Sequence, residues 1–181
     1  VRAAYEVADG RLTIAYTVSA AAANPGPMPF SIGNHIAFRL PFLQGTQAAS
    51  MLFETNSTME MLRNAGGVLS GEQRARSFAN PTRLGDFNAA VAIPLAGYQG
   101  APFARLTDPQ GLSLRIGHRA STALPEPLVQ FNVYGGPAQG YLCPEPWFGI
   151  QNSLNLKKGL VTLPPGGDWL WTVELRPEIA A

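Results

Sequence analysis

Apolar and polar residues alternate along several short segments of this chain, and a period of two is the pattern of a β-strand that buries one face. The segment Arg11–Ser19 shows it from end to end, with an apolar side chain at every even position. The same alternation, or a shorter apolar run, predicts further strands at residues 90–95, 112–117, 129–134, 159–163 and 169–175. Many short strands separated by Gly and Pro favour an all-β fold, built as a large antiparallel β-sandwich.

The pattern gives little sign of helices. Residues 47–64 carry several Met and Leu side chains, but a polar Asn-Ser-Thr stretch interrupts them, so we expect at most one short helix there. Residues 24–29 contain three prolines, which fix the backbone and predict a rigid loop. We find no repeat, charge block or linker that would divide the chain, and we expect one domain over residues 1–181.

Charge and composition narrow the class of protein. The 13 basic and 12 acidic residues leave a net charge of +1, which is too small for the positive field that phosphate backbones require. No run approaches the ~18 apolar residues of a membrane-spanning helix. We therefore expect neither a nucleic-acid nor a membrane partner, and a cytoplasmic location, although a signal peptide upstream of Val1 would not be visible. The single Cys143 excludes an internal disulfide and a cysteine-based zinc cluster.

The chain contains two histidines, and their surroundings differ. His118 stands at the end of a predicted strand beside an arginine, where a solvated or capping role is expected. His35 follows the proline loop, with a glycine two residues before it. It is either a hydrogen-bonded histidine at a sheet edge or a functional imidazole.

Glu145 lies between Pro144 and Pro146. Two flanking prolines hold the backbone extended and disfavour a helix or an inner sheet position, so we expect a stiff loop. Such a loop would aim the carboxylate as a positioned base, or would leave it as an exposed glutamate in a surface turn. Trp147 could stack on a sugar ring or fill a core position. His35 and Glu145 together make a plausible acid and base on opposite sides of a small polar substrate.

Three segments resemble the aldose 1-epimerase (galactose mutarotase-like) family. They are MPFSIGNHIAF at residues 28–38, YLCPEPWFG at 141–149 and LVTLPPG at 160–166. The resemblance implies the large galactose mutarotase-like sandwich and the interconversion of sugar anomers, with Glu145 as general base and His35 as acid. It also implies a hexose or hexose phosphate substrate and neither cofactor nor metal.

The resemblance also suggests residues that bind the sugar. We expect Asn34, Phe38, Asp86 and Trp147 to contact substrate, with Asp86 or Asn88 replacing an aspartate that the family has further along the chain. A phosphorylated sugar would favour an arginine cluster, for which the candidates, otherwise solvated surface residues, are Arg39, Arg74, Arg76 and Arg83.

The chain departs from the family pattern in two further respects. Ile36 replaces the usual proline after the histidine, and nothing matches the family's N-terminal half with its second histidine and its arginine. The chain thus resembles the C-terminal portion of a family member, and we expect a sandwich that is truncated at its N-terminal side. Two expectations follow. Exposed sheet edges would lead either to a homodimer or to aggregation, and the alternative function is a non-catalytic carbohydrate-binding β-sandwich.

Overall fold

The computed structural model describes residues 1–122 and 129–179. Strands dominate these residues, and we number them in chain order. They are β1 (Arg2–Ala8), β2 (Arg11–Ser19), β3 (Met28–Phe30), β4 (Ile32–Gly33), β5 (Phe38–Arg39), β6 (Leu52–Thr55), β7 (Met59–Arg63), β8 (Leu69–Ala75), β9 (Phe78–Arg83), β10 (Ala89–Ala96), β11 (Phe103–Thr107), β12 (Leu112–Ala120), β13 (Val129–Gly136), β14 (Tyr141–Phe148), β15 (Val161–Leu163) and β16 (Asp168–Ile179).

Two large antiparallel sheets face each other, which confirms the predicted all-β sandwich. The first sheet has the strand order β1-β2-β16-β12-β11-β6-β9, and the second has the order β4-β14-β13-β10-β7-β8 with β5 also paired to β14. A small third sheet joins β15 to β3. Every segment predicted as a strand contains one.

Alternation in the sequence accounts for the core between the sheets. Along β16, Trp169, Trp171, Val173 and Leu175 are buried and belong to the main core cluster, while the residues between them are more exposed. The second sheet contributes Phe131 and other apolar side chains to the same cluster. Burial of these large side chains supplies the main stabilising free energy.

His118 belongs to this core, so the prediction of a solvated or capping histidine is wrong. Its side chain is on β12, and the residue is only 4% exposed. The imidazole packs edge-on against Phe131 and Phe148, and its Nδ1 accepts a hydrogen bond from Trp171 Nε1 at 3.2 Å. Because strand β12 continues to Ala120, the alternation of its side chains extends through residue 118, and His118 faces inwards as Ile116 does.

Helical structure is sparse among the described residues. Residues 47–64 contain a 3₁₀ turn at Ala48–Ser50, and β6 and β7 fill most of the rest. This agrees with the expectation of at most one short helix there. A four-residue α-helix, Ser153–Leu156, had no distinct signal in the sequence. In the part of the chain that the structure describes, no helix has the length and apolarity needed to span a membrane.

Candidate active site

Glu145 lies in the middle of strand β14, which corrects the prediction that it would be on a loop. Strand β14 pairs along its whole length with β13, with Glu145 opposite Asn132. The two prolines are tolerated because their backbone nitrogen and carbonyl groups point away from β13. The Pro146 carbonyl accepts the Asn34 N–H on the side away from β13, and residues two apart face the same way, so Pro144 faces that side too. The missing N–H groups therefore leave the ladder to β13 intact.

The Glu145 side chain points away from the core. Leu142 and Phe148 belong to the core cluster, so the even-numbered residues of β14 face inwards. Cys143, Glu145 and Trp147 alternate with them along the strand and therefore face outwards. The site therefore lies on the outer face of the second sheet. Glu145 is nevertheless buried, with its side chain only 4% exposed.

His35 reaches Glu145 because two short strands pair with the two ends of β14. Strand β4 pairs with Trp147 and Phe148, and strand β5 pairs with Tyr141 and Leu142. Residues 34–37 connect β4 to β5 and pass beside the centre of β14. His35 Nε2 lies 3.3 Å from Glu145 Oε1, and the imidazole is 70% exposed. An accessible imidazole therefore contacts a buried carboxylate directly.

The second oxygen of Glu145 is held by two donors. Asn132 Nδ2 and Trp147 Nε1 each donate to Oε2 at 3.2 Å. These bonds orient the carboxylate, so that Oε1 is turned towards His35. A general base needs such a fixed orientation towards the proton that it takes.

Gly33 sets the position of the Trp147 indole. The two residues are directly opposite each other in the β4–β14 pair. A Cβ at position 33 would lie 2.7 Å from Trp147 Cδ1 and 2.8 Å from Nε1, which is closer than such atoms approach. The ring thus lies against the Gly33 backbone, and a side chain there would displace the donor to Glu145.

Two clefts meet at the His35–Glu145 pair. One has a volume of about 270 Å³ and the other of about 350 Å³. Both are lined by His35, Glu145, Trp147 and Gln151. The pair is therefore open to a small molecule from two sides.

Arg63, at the end of β7, lines the smaller of these clefts. Its Nη1 donates to Gln151 Oε1 at 2.9 Å and to the Gly67 carbonyl at 3.0 Å. Among the described residues it forms no ion pair, so its charge is not neutralised by a carboxylate. Sequence reasoning missed Arg63, because only the pairing of distant strands brings it here.

The structure brings together three of the six predicted site residues: His35, Glu145 and Trp147. The other three do not line the two clefts, and their role in sugar binding stays a prediction. Asn34 donates its side-chain amide to the Tyr16 hydroxyl, and Asp86 lies exposed at the end of a 3₁₀ turn. Phe38 lines a different and larger cleft, of about 630 Å³. That cleft is mainly apolar, and the described residues that line it include no acid–base pair.

The four arginines proposed for a phosphate site do not meet at the His35–Glu145 clefts. Arg74 and Arg76 both bind the Glu60 carboxylate at 2.9 Å. Arg39 lines the large cleft beside Phe38, and Arg83 is exposed on β9. Of the arginines in residues 1–122 and 129–179, Arg63 is the one that lines a cleft at the site.

Cys143 adds a possible metal ligand beside the acid–base pair. A ligand atom from each of His35, Cys143 and Glu145 lies within 4.8 Å of the other two. A thiol binds metal as the thiolate, but burial, and secondly the Glu145 charge, raise the pKa of Cys143 to about 11. The thiol is thus protonated near neutral pH.

Comparison with known proteins extends the description of the fold. No protein-family model and no curated protein sequence matches the chain. Solved structures do match. A galactose mutarotase-like protein from Clostridium acetobutylicum has a TM-score of 0.75 at 20% identity, over 98% of this chain and 55% of that one. A galactose mutarotase related enzyme from Lactobacillus acidophilus has a TM-score of 0.74 at 16% identity, over 98% of this chain and 62% of that one.

A third structure, the GalM/aldose epimerase homologue from Caenorhabditis elegans, has a TM-score of 0.73 at 15% identity, over 99% of this chain and 59% of that one. The chain thus spans less than two thirds of the length of these structures. Identities this low support the fold and not the activity. The chain therefore has the galactose mutarotase-like β-sandwich fold.

Proposed function

We propose that the site interconverts the α and β anomers of an aldose, as an aldose 1-epimerase does. The observation that carries this proposal is the 3.3 Å contact between His35 Nε2 and Glu145 Oε1 at the meeting of two open clefts. An exposed imidazole and a buried, oriented carboxylate are an acid and a base that one small substrate can reach together.

The reaction needs two proton transfers around one carbon atom. The Glu145 carboxylate removes the proton of the anomeric hydroxyl, and the bond between C1 and the ring oxygen breaks as the carbonyl forms. Protonated His35 gives its proton to the ring oxygen. After rotation about C1–C2 the transfers run in reverse, with His35 taking the proton back and Glu145 returning its own to the carbonyl oxygen.

The close contact of the pair suits this chemistry better than a wide separation. The anomeric oxygen and the ring oxygen are both bonded to C1, so the groups that serve them must be neighbours. We expected the acid and the base on opposite sides of the substrate; instead they are adjacent, and one edge of a sugar ring would lie against both. The bonds from Asn132 and Trp147 keep Glu145 Oε1 available for that edge.

Trp147 and Arg63 suggest how a sugar would be held. The indole is partly exposed at both clefts and offers a flat apolar surface to a sugar ring. Arg63 provides a cation without a carboxylate partner in the described residues, and a guanidinium binds phosphate in a bidentate manner. We therefore favour a hexose phosphate over a neutral hexose as the substrate.

The alternative is a sandwich that binds carbohydrate without turning it over. The observation that favours it is that two of the other polar candidates of the sequence do not reach the clefts at Glu145. Neither His118, buried in the core, nor the exposed Asp86 adds a further polar group to the site.

An anomer-exchange assay separates these two functions. The rate of mutarotation of glucose, galactose and glucose 6-phosphate is measured by polarimetry or by NMR exchange. We expect the chain to exceed the buffer rate on one of these sugars, and Glu145→Gln to lower kcat by about 10²- to 10⁴-fold. Binding of a sugar without a rate above buffer would support the carbohydrate-binding function instead.

Glu60→Gln is the matched control. Glu60 is also a buried carboxylate on the second sheet, but it binds Arg74 and Arg76 and lines a different cleft. Its removal should change stability and leave the rate per folded molecule unaltered. An equal loss of activity in both variants would overturn the role given to Glu145.

A further inference from the structure

Strand β1 forms one edge of the first sheet and carries an apolar face that is open to solvent. It pairs with β2 in an unbroken register, in which Tyr5 lies opposite Ile14 and Val7 opposite Leu12. Ile14 belongs to the core, so Tyr5 and Val7 lie on the inner face of the sheet. Even so, Tyr5 is 67% exposed and Val7 is 79% exposed.

The edge lacks three of the features that normally prevent strands from pairing, and its two charged residues, Arg2 and Glu6, have opposite signs. Exposed edges are usually blocked by proline, lysine or a bulge. The seven residues of β1 contain neither proline nor lysine, and the register with β2 shows no shift. A further strand could therefore extend the first sheet at β1.

We propose that a second copy of this chain supplies that strand. Strand β1 would pair antiparallel to β1 of the second copy, and the two-fold axis would pass midway between the two Ala4 residues. A two-fold axis perpendicular to the sheet keeps the inner faces of both copies on the same side. Centring on Ala4 aligns residues 1–7 of the two copies and leaves Ala8, the last residue of β1, beyond the paired region. The two seven-stranded sheets would then form one continuous sheet.

Charge complementarity favours this occupant and this register. With Ala4 at the centre, Arg2 lies opposite Glu6 of the second copy, and Glu6 lies opposite Arg2 of that copy. Neither residue forms an ion pair within the part of the chain that the structure describes. Opposite charges directly across a strand pair are stabilising, and like charges are destabilising.

The apolar face pairs equally well in the same register. Val1 lies opposite Val7 of the second copy, and Ala3 lies opposite Tyr5 of that copy. Two stripes of exposed apolar residues would thus become one band on the inner side of the joined sheet. Pairing at β1 does not depend on the proposed activity.

Cross-linking at the two-fold axis tests the register. In Ala4→Cys the two thiols would face each other across the axis, at the Cα separation of about 4.5–5.5 Å that antiparallel pairs have, which is within reach of a disulfide. The native Cys143 is buried and gives no background. We expect Ala4→Cys to yield a covalent dimer under mild oxidation.

Ala3→Cys is the matched control. In the proposed register, position 3 of one copy lies diagonally from position 3 of the other, at roughly 7–8 Å, which is beyond the reach of an unstrained disulfide. Equal cross-linking of both variants would overturn the register.

A charge swap tests the pairing without a covalent bond. Arg2→Glu places a carboxylate opposite Glu6 of the other copy at both symmetry-related positions. We expect it to raise the dimer dissociation constant by roughly tenfold or more in sedimentation analysis. Adding Glu6→Arg to the same chain restores opposite charges and should restore the dimer. A chain that is monomeric at every concentration, or a dimer unaffected by Arg2→Glu, would overturn the proposal. Open-ended aggregation would overturn it as well.

Discussion

The His118 imidazole accepts the indole N–H of Trp171 at 3.2 Å in the centre of the sandwich, and burial lowers its pKa from 6.5 to about 3. The residue is therefore neutral in the folded protein at any ordinary pH. In the unfolded chain the same imidazole becomes protonated as the pH falls below 6.5. The folded state thus loses stability over this range, because protons bind to the unfolded chain first.

This difference predicts the acid sensitivity of the fold. Linkage with the two pKa values gives a loss of about 2 kcal/mol in the free energy of unfolding between pH 7 and pH 5. Glu60 and Asp108 also have lowered pKa values in the fold, despite the opposing effect of burial, because of the Glu60 contacts with Arg76 and Arg74 and the hydrogen bonds to Asp108. Their stabilising contributions are lost only at lower pH, as it falls from the ordinary pKa values of 4.5 and 3.8 through the lowered pKa values of the fold.

His118→Gln isolates the histidine. A glutamine amide can still accept the Trp171 N–H but does not titrate, so the variant should be less stable at pH 7 yet lose much less stability towards pH 5. Urea unfolding at several pH values measures this. An unchanged slope of stability against pH would show that His118 does not set the acid limit.

Trp147→Phe tests the hydrogen bond to the proposed base. The substitution keeps an aromatic surface in the clefts but removes the indole N–H that donates to Glu145 Oε2. A hydrogen bond to a charged group contributes about 1.5–3 kcal/mol, so loss of orientation should lower kcat roughly tenfold or more. KM should change little, as determined by anomer exchange over a range of sugar concentrations. A rise in KM at constant kcat would assign Trp147 to sugar binding alone.

Gly33→Ala should act through the same tryptophan. The new methyl group would lie 2.7 Å from Trp147 Cδ1, so the ring must move away from the β4 backbone and from Glu145. We expect a fall in kcat comparable with that of Trp147→Phe. Gly26→Ala is the control, because a Cβ there has open space around it. If both glycine variants keep full activity, the close packing of Gly33 is not needed for the site.

The sequence predicted the sheets well because strand alternation is a local property. The inward residues of β16 are those that the alternation selected, and the same pattern identified Arg11–Ser19 with its observed bounds. The prediction for His118 is wrong because the predicted strand ends at residue 117. A strand that continues to Ala120 makes position 118 inward-facing.

The candidate site was predictable only in part. Its motifs identified His35, Glu145 and Trp147, but the prolines beside Glu145 suggested a loop. Local propensity does not reveal that both prolines face the side of β14 that pairs with other strands only at its two ends, through β4 and β5. Arg63 carries no local signal, since its position depends on the pairing of β7 with β10 and of β10 with β13.

Arg63→Gln tests whether the substrate is anionic. Arg63 is half-buried at the cleft that holds His35 and Glu145, and its Nη1 is fixed by Gln151 and Gly67. If the guanidinium binds a phosphate group, its loss removes a charge-assisted contact, and KM for glucose 6-phosphate should rise about tenfold. KM for glucose should stay nearly constant, because a neutral sugar makes no such contact.

Arg83→Gln removes the same charge elsewhere on the surface. Arg83 is exposed on β9 and does not line the clefts at Glu145, so this variant separates a local contact from the net charge of the protein. Its KM values for both sugars should match those of the parent chain. Because the phosphate contact is electrostatic and partly exposed, the advantage of glucose 6-phosphate over glucose should also shrink as salt is added. An equal rise of KM for both sugars in Arg63→Gln would mean that Arg63 shapes the cleft through Gln151 and does not select an anionic substrate.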